Sequence, residues 1–279
     1  MARETSVTGY NGSYEPSRSI GVKVKFWIIK LLIAVYVCFG IIAVWLHSEL
    51  IYPFGDVAFG RPGYNLVISD GAHLYVSDLP EANETVLFFM GNGGALVYFQ
   101  SIFAAHEQAG RRVVALQYPD GGGVGGPVSE DILKTQALAS YDWTAGQGWT
   151  DVVVHGYSLG TSLAQYVASK REVAAVILDA PFMRMCELMT RRSWLPACYL
   201  PYVQKWDSTL YVKDIDAPIL IQHGTQDIHI PASDSARLTG LFRAHGHLVT
   251  YNLFEGVDHN TLPSAPSYRA EISEFLALH

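Results

Sequence analysis

One stretch of this sequence permits few folds. Residues 151–157, Asp-Val-Val-Val-His-Gly-Tyr, read as a buried strand. They run without a linker into Gly156-Tyr157-Ser158-Leu159-Gly160, and a helical pattern, Ser-Leu-Ala-Gln-Tyr-Val-Ala-Ser-Lys, follows. A strand that passes into a helix around Gly-x-Ser-x-Gly does so on a sharp bend. A side chain at 156 or 160 would collide with the neighbouring strand or helix, and glycine removes the collision. The bend holds Ser158 in a strained backbone conformation and lifts its hydroxyl out of the sheet. It also puts the Leu159 N–H at a helix N-terminus, where negative charge is stabilised. A serine could cap an ordinary helix in the same place. The strand–turn–helix context favours a nucleophile instead.

A serine alcohol needs a base, and the base needs an acid to fix its tautomer. On such a sheet the chain order is serine, acid, histidine. Downstream, Pro-Ile-Leu-Ile-Gln-His-Gly is followed by Thr225-Gln226-Asp227, and the last strand by Gly256-Val257-Asp258-His259-Asn260. Both loops follow strand C-termini, where open α/β sheets place their sites. Asp227 is therefore the candidate acid and His259 the candidate base. Asp179, at the end of the strand after the nucleophile helix, is the rival acid. Asp258 adjoins His259 in sequence, so its side chain should point elsewhere. The oxyanion hole needs a second N–H from the loop Met90-Gly91-Asn92-Gly93-Gly94. Gly93, with Asn92 beside it, is expected to donate next to Leu159.

Around this motif, strand-like and helix-like segments alternate. Strands are expected at 72–77, 85–90, 112–118, 151–157, 173–180, 218–224 and 248–254, and helices at 95–109, 129–147, 158–170, 231–245 and 267–278. Near-continuous Val, Ile and Leu runs suit strands covered on both faces. The pattern predicts an α/β domain over 60–279, a mostly parallel sheet wrapped by helices. Residues 182–214, rich in Met, Trp, Tyr and Pro, fit neither pattern and read as a small cap. Its Met and aromatic side chains suit an apolar binding wall or a local core.

The N-terminus is of another kind. Residues 1–25 read as a polar, disordered tail. Phe26 to Leu46 is a run of 21 residues broken only by Lys30. As a helix it would span ~31 Å, close to the ~30 Å hydrocarbon core. Trp27 and Trp45 bracket it like interfacial anchors. The run exceeds the usual signal-peptide core, and no small-x-small cleavage site follows it. A transmembrane helix is expected over 26–46. Residues 1–46 carry five bases against two acids, and the rest carries 14 bases against 24 acids. The positive-inside rule then leaves the tail cytoplasmic and the body outside or in a lumen. That acidic body is a poor match for nucleic acid. Asp227-x-His229 and His245-x-His247 lack a third ligand, so no metal and no cofactor is expected. Cys186 and Cys198 could pair in an oxidising compartment. Asn83-Glu84-Thr85 is a glycosylation sequon.

These motifs resemble the α/β-hydrolase superfamily over roughly residues 64–279. They are most similar to its membrane-anchored serine hydrolases, grouped with serine aminopeptidases and monoacylglycerol lipases. The matching pieces are Gly91-Asn92-Gly93, Gly156-Tyr157-Ser158-Leu159-Gly160, Asp179-Ala180-Pro181-Phe182, His223-Gly224-Thr225-Gln226-Asp227 with Ile230-Pro231, and Asp258-His259-Asn260. Gly122, Gly126, Ser129 and Glu130 also fit. Pro119 and Gly121 stand where that branch carries Arg and Tyr, and Met90 where it often carries His. The resemblance implies cleavage of an ester, thioester or amide of a small acyl or peptide substrate, through an acyl-enzyme on Ser158. A binding protein on the same fold is the alternative, since a fold alone proves no activity.

Overall fold

The computed structural model describes residues 9, 18–82, 84–149 and 151–279 of the 279-residue chain. Asn83 of the sequon and most of the expected tail lie outside these residues. The chain divides into two compact units, one ending at Trp45 and one spanning Leu46–His279.

Helix α1 runs from Arg18 to Ile51. It is longer at both ends than the apolar run 26–46: it passes through Gly21 and Gly40, and no proline lies between Arg18 and Ile51. Pro53 has no N–H to continue it and disfavours helix at the residue before. The most apolar window of Val24–Ile51 has mean hydropathy 2.5, and none of that window is buried, unlike a core helix. By length and composition it could cross a membrane. The Lys30 ammonium lies 4.6 Å from the Phe26 ring centroid.

Within Leu46–His279 the strands are β1 (Tyr64–Ser69), β2 (Ala72–Ser77), β3 (Thr85–Phe89), β4 (Arg112–Gln117), β5 (Val152–Tyr157), β6 (Ala175–Asp179), β7 (Ile219–Gly224) and β8 (Val249–Phe254). They form one sheet in the order β1-β2-β4-β3-β5-β6-β7-β8. The β1–β2 and β2–β4 pairs are antiparallel and the others parallel. Every residue of β3, β4, β5, β6 and β7 is buried, as their apolar runs require. The sequence pattern omits edge strand β1. It joins β2 through Asp70-Gly71, both at positive φ, the geometry of a tight hairpin turn.

Helices α2 (Gln100–Gln108), α3 (Glu130–Gly146), α4 (Gly160–Ala168), α6 (Ala232–Ala244) and α7 (Tyr268–Ala277) cover the sheet. The helix expected from residue 95 opens as a 3-10 turn, Leu96–Phe99. Strand order reverses beside β3, whose neighbours are β4 and β5. Open α/β sheets bind ligands at such a switch point, outside the strand C-termini. The glycine loop after β3 and the turn after β5 lie at that position.

The expected cap holds α5 (Met185–Ser193) and 3-10 turns at Ala197–Tyr199, Ser208–Leu210 and Val212–Asp214. Cys186 and Cys198 form a disulfide across it. Arg184 Nε donates to Asp207 Oδ2 at 2.8 Å. Phe182, Met183, Leu195 and Trp206 are buried, so the local core claims them. Trp194, Tyr199 and Tyr202 are about nine-tenths exposed. Composition allows a binding wall or a local core, and the cap's large apolar side chains are split between interior and surface.

Candidate active site

The turn after β5 is built as its glycines demand. A Cβ at Gly156 would lie 2.4 Å from the Gly160 carbonyl oxygen, and one at Gly160 would lie 2.0 Å from that of Phe89. Only glycine fits at either place. Ser158 sits at φ +52°, a conformation that costs a non-glycine residue free energy and marks nucleophile turns. Its N–H donates to the Asp179 carbonyl at 2.8 Å, and its own carbonyl accepts from the Thr161 N–H at 3.0 Å. The turn is held on both sides, although Ser158 is largely buried.

Asp227 and His259 come together. The His259 Nδ1–H donates to Asp227 Oδ2 at 2.5 Å, which leaves Nε2 with its lone pair. Asp227 Oδ1 accepts the N–H groups of His229 and Ile230, each at 2.8 Å. His223 Nε2 lies 3.2 Å from Asp227 Oδ2 and 2.9 Å from the Ile230 carbonyl, so one N–H serves both. Burial alone would raise the Asp227 carboxyl. The hydrogen bonds from His223 and His259 and the Ile230 N–H outweigh it and hold the group well below the usual carboxylate range. A Cβ at Gly224 would meet the Val257 carbonyl oxygen at 2.2 Å, so the loops that carry Asp227 and His259 touch backbone to backbone.

Tyr157 links His259 to the turn that carries Ser158, a role the sequence did not mark. Its hydroxyl donates to the His259 carbonyl, and the two rings lie 5.5 Å apart. The His229 ring packs 5.3 Å from that of His259 on the other side. The N–H groups of Leu159, Asn92 and Gly93 donate to no acceptor among the described residues. Asn92 and Gly93 are exposed, whereas Gly91 and Gly94 are buried.

The rival acid is engaged elsewhere. Asp179 Oδ2 accepts from His155 Nε2 at 2.8 Å and from the Tyr268 hydroxyl, and Oδ1 accepts from Gln222 Nε2 at 3.1 Å. His155 Nδ1 in turn lies 3.0 Å from His106 Nε2. This buried chain ties β5, β6 and β7 to α2 and α7 beneath the turn. Burial, with His155 and Arg111 nearby, holds His106 neutral well below its ordinary value. The unfolded chain therefore takes up this proton first. The stability His106 contributes is complete above pH ~6.5 and declines as pH falls below it. Tm should drop between pH 7 and pH 5, and His106→Gln should flatten that drop. An unchanged slope in the variant would remove His106 as its source.

Among the described residues, no three or more His, Cys, Asp and Glu side chains are arranged to hold a metal. Ser129, a motif residue, caps α3 by accepting from the Ile132 N–H at 3.2 Å. Glu130 accepts from the Trp206 N–H of the cap at 3.0 Å.

The mixed eight-stranded sheet with a strained serine at the end of its β5 strand defines an α/β-hydrolase. More narrowly, the chain belongs to the dienelactone hydrolase family, whose sequence model matches residues 123–274. An uncharacterized protein of Mycobacterium tuberculosis is 31% identical over 179 residues, covering 63% of this chain and 62% of its own. The match thus spans less than two thirds of that relative. Human alpha/beta hydrolase domain-containing protein 17B is 27% identical over 217 residues, covering 74% and 70% of the two chains. In structure, an esterase of Pyrococcus furiosus superposes with a TM-score of 0.68 at 17% identity, over 80% of this chain and 95% of its own.

Proposed function

We propose that this chain is a membrane-tethered serine hydrolase that cleaves acyl esters through an acyl-enzyme. The observations that carry the reading are the His259–Asp227 contact, the Tyr157 hydroxyl that ties His259 to the turn after β5, and the Ser158 backbone at φ +52° on that turn. The Ser158 Oγ attacks the substrate carbonyl while its proton passes to His259 Nε2. The carbonyl electron pair moves to oxygen, where the Leu159 and Gly93 N–H groups, with Asn92 beside them, receive it. Collapse of this adduct expels the alcohol, which takes the proton from His259. Water then repeats the attack with His259 as base, and the acid leaves. Asp227 holds the imidazole in the useful tautomer throughout. No step calls for a metal or an organic cofactor.

The fold-similar Pyrococcus enzyme is named an esterase, which supports an ester over an amide as the bond. The motifs around Asp227 and His259 favour the serine aminopeptidase and monoacylglycerol lipase-like branch, so peptides are the substrates to compete against. A fluorophosphonate probe should label the full chain in detergent micelles, and acyl esters should protect it better than thioesters or amino-terminal peptides. A chain that resists the probe is a binding protein on this fold.

The candidates for an acyl-chain lining are two methionines of the cap. Met185 and Met189 are half-buried and pack against the core edge. Each methylene they cover adds up to ~0.8 kcal/mol to transition-state binding. Across an ester series, kcat/KM should rise about fourfold per methylene at most and level off within a few carbons. A profile that peaks at acetyl, or peptidase activity above esterase activity, would refute an acyl pocket.

The exposed apolar surface of Val24–Ile51 supports a tether, and the bases before it support an N-terminus in the cytoplasm. The Cys186–Cys198 disulfide fits a body in an oxidising compartment. A reporter fused after His279 should read as extracytoplasmic. Reporter activity in the cytoplasm would reverse the topology.

A further inference from the structure

The residues that follow the apolar helix are built into the hydrolase unit. Tyr52 donates its hydroxyl proton to Gln204 Oε1 at 2.5 Å and accepts from Trp206 Nε1–H at 2.9 Å. Two residues on, the chain lies against the glycine loop after β3. Gly94 sits at φ +66°, and a Cβ there would come within 2.4 Å of the Phe54 ring. A Cβ at Gly121 would meet Phe54 at 3.1 Å. The Gly55 N–H donates to the Gly93 carbonyl at 3.2 Å, and the Gly55 carbonyl accepts from the Gly122 N–H at 2.8 Å. From the β4 side, the Tyr118 hydroxyl donates to the Met90 carbonyl at 2.7 Å and Gln117 Nε2 donates to the Gly94 carbonyl at 2.9 Å. Phe54 packs on Tyr118 with ring centroids 5.6 Å apart.

Gly91-Asn92-Gly93-Gly94 is a sequence with little conformational preference of its own. An oxyanion hole works because its donors are fixed before charge develops. Tyr118 and Gln117, at the end of β4, fix this loop at Met90 and Gly94. The Gly93 carbonyl is bonded to Gly55 instead. That bond pins the peptide plane between Gly93 and Gly94, and so the Gly93 Cα about which the neighbouring plane, with the Gly93 N–H, is set.

We propose that residues 52–55 are a positioning strap for the oxyanion hole, with Phe54 and Gly55 orienting the Gly93 N–H. The inference rests on the serine-hydrolase reading above. It makes the segment directly after the apolar helix part of turnover rather than a passive tether.

The test uses the full chain in detergent micelles. The readouts are kcat and KM for an acyl ester, Ki for a trifluoromethyl ketone of the same chain length, and Tm. Ser158 adds to that ketone: the Oγ–carbon bond forms, the Oγ proton passes to His259 and the carbonyl pair becomes an oxyanion in the hole. Phe54→Ala and Gly55→Pro, the latter lacking the N–H, should lower kcat roughly 10–100-fold, somewhat less than deleting a donor outright. KM should stay within about threefold, and Ki should rise in proportion to the loss in kcat/KM. Phe54→Leu should recover most of the loss, and Val57→Ala, at an exposed position of the same segment, should match wild type. If Phe54→Ala does not fold, Gly55→Pro and Phe54→Leu are judged by the same Ki criterion. Folded variants with kcat and Ki unchanged would overturn the strap. So would a rise in KM alone, which would make Phe54 a substrate wall. An active wild type with unchanged variants refutes this inference only. A wild type with neither ester turnover nor probe labelling refutes the hydrolase reading and the strap together.

Discussion

Ser158→Ala should lower turnover by on the order of 10⁶-fold and abolish fluorophosphonate labelling, with Tm nearly unchanged. The size of the loss follows from the mechanism. In the proposed mechanism the hydroxyl is the sole covalent acceptor, so without it His259 and Asp227 have nothing to activate. The small stability effect follows from the structure. The bonds that hold the turn come from the Ser158 backbone N–H and carbonyl. Alanine keeps both backbone bonds and tolerates φ +52° about as well as serine does. Activity lost together with Tm would mean that the turn had collapsed. Labelling that survives in a folded variant would place the nucleophile on another residue.

The parts of this fold that were legible in the sequence are those that one local rule determines. Val152–Val154 and Ile219–Ile221 are buried on both faces, so their strands read as apolar runs. Gly156 and Gly160 are required by backbone contacts a few residues away or on the adjacent strand, so the turn declares itself in five residues. β1 escaped because Tyr64–Ser69 is an edge strand with Asn65, Leu66 and Ile68 exposed. Asp70-Gly71 was the available signal for its hairpin. Other features depend on pairs far apart in the chain. Tyr157 meets His259 across 102 positions and Tyr52 meets Gln204 across 152. Periodicity carries no trace of such pairs. The cap stayed open between wall and local core for a related reason: composition cannot tell Trp206, wholly buried, from Tyr202, which is 89% exposed.

The two carboxylates near the turn should separate cleanly on mutation. Asp227→Asn should lower kcat by about 10⁴-fold, because the amide favours the imidazole tautomer with its proton on Nε2. Asp179→Asn should act mainly on stability. It places an amide N–H₂ or a weaker acceptor against His155, Tyr268 and Gln222, and leaving such a buried group unsatisfied costs about 1–3 kcal/mol. Some kcat is lost with it, because the Asp179 carbonyl holds the Ser158 N–H, but the loss should be far below that of Asp227→Asn. Acid titration gives a second separation. Asp227 is held below its unfolded value, so its contribution to stability is complete above pH ~4 and is lost as pH falls through the folded value. Asp227→Asn should therefore make the acid limb of Tm against pH shallower. A kcat loss of 10³-fold or more in folded Asp179→Asn, with Asp227→Asn still active, would transfer the role of acid to Asp179. It would also require His259 to abandon the 2.5 Å partner on which the present reading depends.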